Sequence, residues 1–270
     1  MSTAVMENPQ VAEPARARTQ HAPIPFRTVV GVELRKAFDT RSGFWLLVAI
    51  AAAGVLATGA VLAFASNSDL SYDSFAGAIG VPMTILLPVV AILAVTGEWS
   101  QRAGLTTFTL VPHRGRVIRA KFVVTIAIGV ASMALALAVG ALGNVVGSGL
   151  KGVDTTWDLS PTSILYIVGA DLIGMTIGFM LGILTRNSAG AIVGYFSYWF
   201  VLPTLSMVLA ANQSWFEKAQ PWVDFNFNQG NLYDGGLSGQ QWLQLGITGA
   251  VWLVLPLAFG LWRVMRAEVK

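Results

Sequence analysis

Residues 164–184 read ILYIVGADLIGMTIGFMLGIL, 21 residues with a single charge at Asp171. As a helix rising about 1.5 Å per residue, this stretch is about 30 Å long, the thickness of the hydrocarbon core of a bilayer. Five further stretches have the same character: Phe44–Ala65, Phe75–Thr96, Phe122–Val146, Ala189–Ala211 and Trp242–Trp262. The chain is 54% hydrophobic and 11% charged, whereas soluble domains carry about 25% charged residues. So few charges leave too little polar surface to face water. The expected fold class is an all-α integral membrane protein with six transmembrane helices.

Lysine and arginine orient the spans, because the loops on the cytoplasmic side of a membrane are enriched in them. Fifteen of the 17 basic residues fall on one side of the six-span reading. They lie before the first span, between the second and third, at Arg186 between the fourth and fifth, and after the sixth. The opposite side has Lys151 and Lys218 alone, and seven acidic residues from Asp69 to Asp234. Both termini are therefore expected in the cytoplasm. Residues 1–25 are polar and rich in Pro, Ala and Glu, with no apolar core of a signal peptide, and are expected to form a disordered cytoplasmic tail. Residues 26–270 form the membrane domain.

Three segments between the spans have patterns of their own. In Phe26–Ser42, Val30, Leu34, Ala37 and Phe38 share one helical face, with Glu33, Arg35, Lys36 and Asp39 off it. This predicts an amphipathic helix lying in the interface, basic side toward lipid headgroups, and a contact with a cytoplasmic partner is the second reading. Residues 98–121, EWSQRAGLTTFTLVPHRGRVIRAK, are too long for a simple turn. Leu105, Phe108, Leu110 and Val111 form an apolar patch there, followed by Pro112 and a basic run. A short surface helix interrupted at Pro112 fits. The positive-inside rule explains the basic run but not the patch, which points to protein contact. Residues 212–241 carry six aromatics on the other side. They are read either as a segment that dips back and caps the protein or as an ordinary folded loop.

Inside the spans, Asp171 is about 10 Å from the outer start of the fourth. A carboxylate at such depth costs about 2.5–3.5 kcal/mol, so it is expected to face helices or water. It is a candidate substrate, proton or gating site, or a buried carboxyl bonded across a helix interface. Gly174, Gly178 and Gly182 form a small-residue ridge that lets helices approach closely. Pro82, Pro88, Pro203 and Pro256 predict kinks in spans two, five and six. The absence of cysteine removes disulfides and thiolate sites. There is no phosphate-binding loop and no H-E-x-x-H pattern, and the histidines are His21 and His113. No catalytic residue, metal site or nucleic-acid partner is expected.

Glu98, Thr106, Thr107, Pro112, Arg114, Arg116 and Lys121 resemble the signature of ABC-2 type permeases, the membrane subunits of bacterial ABC exporters. The resemblance extends over residues 26–270 through the amphipathic helix, the six spans and the large last outer loop. It implies a coupling helix between spans two and three, seated in the cleft of a separate ATPase. Glu98, Arg102, Thr106, Thr107, Pro112, Arg114 and Arg116 would make that contact, flanked by Val30, Leu34, Arg35, Lys36 and Phe38. It also implies ATP and Mg²⁺ on the partner, no cofactor in this chain, and pairing with a second permease copy or a paralogue. The cargo class would be a drug, peptide or lipid-like molecule. Two other readings stay open. One is a proton-coupled secondary transporter using Asp171, against which no inverted repeat or broken midplane helix is evident. The other is a non-transporting membrane scaffold or immunity protein.

Overall fold

The computed structural model describes residues 24–100 and 114–266, with the backbone alone at Glu98, Ser100 and Arg114. All the regular structure among these residues is helical. A short helix α1 (Phe26–Asp39) precedes the first long helix α2 (Arg41–Phe64). Next come α3 (Tyr72–Ser100), α4 (Arg114–Lys151), α5 (Pro161–Thr185) and α6 (Ser188–Asn212). Two short helices, α7 (Ser214–Val223) and α8 (Phe225–Gly230), lead to α9 (Gly239–Arg266). Six of these, α2 to α6 and α9, are long and apolar enough to cross a membrane. The fold is that of a multi-pass membrane protein.

Each long helix covers its expected span and overruns it at both ends, except that α2 stops at Phe64, one residue short, because hydropathy marks the lipid-facing part while hydrogen bonding continues into the polar flanks. The largest overrun is a correction. The basic run 114–121 is the first two turns of α4, not part of a loop. At 38 residues α4 is about 57 Å long, so both of its ends stand clear of a hydrocarbon core of about 30 Å.

Helix α5 lies at the centre. Its Met175, Phe179 and Ile183 join Leu87, Ala91 and Val95 of α3 in the main apolar core. The glycine ridge makes that contact. A Cβ on Gly178 would stand 2.6 Å from the Pro88 carbonyl oxygen, and one on Gly182 would run into Val95. The ridge thus serves packing within the chain, where close contact replaces the hydrophobic drive that lipid removes. A tight corner joins α1 to α2. The Thr40 hydroxyl caps α2 by accepting from the Gly43 N–H at 3.2 Å, and Gly43 is so close to the Ala37 carbonyl that no side chain would fit.

In the last two spans each proline follows a π turn. Helix α6 carries a π turn at Ser197–Val201 and α9 one at Ala250–Val254, each ending two residues before Pro203 or Pro256. The wider turn takes up the missing N–H, and such turns are themselves sites of helix bending. At the other end of the molecule, 212–241 does fold back as a cap. Phe225, Asn228, Gln229 and Leu232 are buried against the spans.

Candidate functional site

Two polar assemblies stand at opposite ends of the bundle. At the basic end, α1 lies along the base of α4. Val29 packs on Val117 and Ala120, and the Arg116 guanidinium donates to the Ile24 carbonyl at 2.9 Å. Glu33 takes the centre. One carboxylate oxygen accepts from Lys121 Nζ at 2.5 Å and the other from Lys36 Nζ at 2.9 Å. Glu33 and Lys121 are each only 6% exposed. Removing either partner of such a pair would strand a buried charge.

The face of α1 that meets α4 is Val29 and Glu33, with Val30 half-buried beside them. Leu34 and Phe38 are 41% and 52% exposed, and Arg35 is exposed beside them. A lysine reaching from α4 makes a carboxylate the residue that α1 turns toward it. Glu98 and Arg114, at the end of α3 and the start of α4, are described by backbone only. Arg102, Thr106, Thr107 and Pro112 lie outside the described residues, as does the coupling helix expected there.

At the acidic end, the cap closes over Asp171, which is 4% exposed. The Tyr233 hydroxyl donates to Asp171 Oδ1 at 3.0 Å. Burial pushes the Tyr233 phenol well above its ordinary value, and the neighbouring Asp171 carboxyl adds to it, so the phenol stays a donor. Beside it, Gln229 Nε2 donates to the Ala170 carbonyl at 2.8 Å while its Oε1 accepts from the Tyr198 hydroxyl at 2.8 Å. The other side of Asp171 faces a small apolar cavity walled by Ile79, Met83 and Met133.

The broken helix bonds explain which polar groups gather here. Pro88 has no N–H for the carbonyl four residues back, Thr84. The Tyr195 hydroxyl donates to that carbonyl at 2.7 Å. Pro203 likewise leaves the Tyr198 carbonyl, five back in the π register, and Asn226 Nδ2 donates to it at 3.3 Å. The proline positions signal that a donor is needed, but its identity depends on the approach of α6 and the cap. Tyr195, Tyr198, Asn226 and Gln229 were invisible for that reason. A Cβ on Gly174 would stand 3.3 Å from the Tyr195 hydroxyl and 3.5 Å from Gln229 Nε2.

The six spans and the two polar ends define a multi-pass membrane protein. No protein-family model matches the chain, and no curated protein matches it.

Proposed function

We propose that this chain is the membrane subunit of an ATP-driven exporter of the ABC-2 type, working with a separate ATPase and a second permease subunit. The observation that carries the reading is the clamp of α1 onto the base of α4 through Glu33 and Lys121. It makes one rigid body of α1 and the start of α4, where residues 101–113 rejoin the bundle. A force applied to that segment by a partner would reach the spans rather than dissipate. The bias of basic residues supports placing this body in the cytoplasm, where an ATPase can reach it. The chain has no phosphate-binding loop, so hydrolysis belongs to the partner.

The test is reconstitution with an ABC ATPase subunit from the same genome. ATP-dependent efflux is expected, and the double variant Glu98→Ala, Arg102→Ala should lose it while still inserting in the membrane. ATPase association and transport unchanged in that variant would overturn the assignment.

The buried Asp171–Tyr233 pair favours one second reading, a proton-coupled transporter. A carboxyl bonded to a phenol in apolar surroundings can hold and release a proton during a transport cycle. That reading requires gradient-driven flux by the chain alone in proteoliposomes, abolished by Asp171→Asn.

A further inference from the structure

The cavity beside Asp171 is narrow, about 30 Å³, and runs between α3, α4 and α5. Ala76 and Ile164 line it near the acidic ends of α3 and α5. Met83 and Asp171 stand seven residues further along those helices, about 10 Å deeper. Ala76, Gly80 and Ile164 are half-buried around its mouth, while Ile79, Met83 and Asp171 are buried at its base. Apart from Asp171, every residue lining it is apolar.

Half of the Asp171 carboxyl is left without a partner. Tyr233 donates to Oδ1, and no other described group bonds the side chain. Oδ2 keeps accessible surface, unlike the unpartnered Asn144 Oδ1 and Ser148 Oγ, which have almost none. The phenol is a neutral donor, and no described lysine or arginine pairs with the carboxylate. A buried carboxylate without an opposite charge is costly. The cavity is where an opposite charge can enter. A metal ion would need several oxygen ligands, and the walls supply one carboxylate. An organic ammonium ion needs that one carboxylate for its head and apolar walls for its carbon.

A cavity of this size admits about two water-sized groups. That is the nitrogen and first carbon of a primary amine, and too little for the branched head of a quaternary one. We infer that the cavity binds the aminomethyl end of a primary alkylammonium ion. The ammonium pairs with Asp171 Oδ2, the first carbon lies against Met83 and Met133, and the rest of the alkyl chain leaves past Ala76 and Ile164. Methionine side chains suit such a role because they adapt to irregular shapes. This assignment does not depend on the exporter reading, since it concerns binding to this chain alone.

The experiment follows thermal unfolding of the full chain in detergent, near neutral pH, with hexylammonium, hexyltrimethylammonium or hexanol. Hexylammonium should raise the unfolding midpoint in a saturable way, because a ligand bound only to the folded state stabilises it. The other two should not, one being too wide at the head and the other uncharged. Asp171→Asn keeps the shape and removes the charge, so binding should weaken about ten-fold or more. Gly80→Val narrows the cavity through a Cβ that meets nothing within 4 Å, so the variant should fold and lose binding. That variant, with the comparison of ligands on the unaltered chain, keeps the test decisive if Asp171→Asn fails to fold. No shift with hexylammonium, as for a site that takes only a proton, would overturn the assignment. So would an equal shift with either of the other compounds, or a shift unchanged in Asp171→Asn or Gly80→Val.

Discussion

Helices α5 and α6 are neighbours in sequence, joined by two residues and equal at 25 residues each, with mean hydropathy 2.0 and 1.6. Yet 56% of the apolar window of α5 is buried inside the protein and only 6% of that of α6. Hydropathy assigns both to the membrane and says nothing about which is central. Side-chain size does. Helix α5 presents Gly174, Gly178 and Gly182 to α3, so the backbones close together. Helix α6 presents bulky residues such as Phe200, Leu205 and Met207 outward, each at least half exposed. Its buried residues are Ala191 and Tyr195, both in its first turns. Lipid solvates a leucine as well as a protein core does, so the centre goes to the helix that permits close packing.

Four substitutions probe this contrast, each followed by the loss of folded protein in a detergent-denaturation titration. Gly178→Leu should have the largest effect, about 3 kcal/mol, because the new side chain meets the α3 backbone at Pro88, which cannot move aside. If it is tolerated, glycine packing is not what centres α5. Gln229→Leu should cost about 2 kcal/mol by stranding the Tyr198 hydroxyl under the cap. Tyr195→Phe should cost about 1.5 kcal/mol, since the Thr84 carbonyl loses the donor that replaces the Pro88 N–H. It tests whether α6 is held to the bundle through that one side chain. Leu205→Ala, on the exposed face, should change stability by less than about 0.5 kcal/mol. A larger loss there would mean that a second subunit covers this face.

The two ends of the molecule differ in how legible they were. All six spans fall where the apolar runs predict, because a bilayer demands about 20 residues without charge and satisfies backbone groups only within the helix. Asp171 stood out for the same reason, as a charge where none is cheap. Its partner Tyr233, 62 residues on, did not stand out, since a tyrosine in an outer loop is unremarkable until the loop folds back. At the basic end, the amphipathic pattern of α1 marked its apolar stripe but not the face that meets α4. Glu33 looks like a solvent-facing residue until Lys121, 88 residues later, is brought beside it.

What the amino-acid order determined alone is the solvent of each segment: which stretches lie in lipid, which side carries the basic charge, and where a charge or glycine is out of place. Those properties are local, set by transfer free energies and by the reach of one helix. Tertiary structure decided the rest. It turned Glu33 inward and met the carbonyls orphaned by Pro88 and Pro203 with Tyr195 and Asn226. Each of these depends on a group from a distant part of the chain arriving within a few ångströms, and no local pattern encodes that distance.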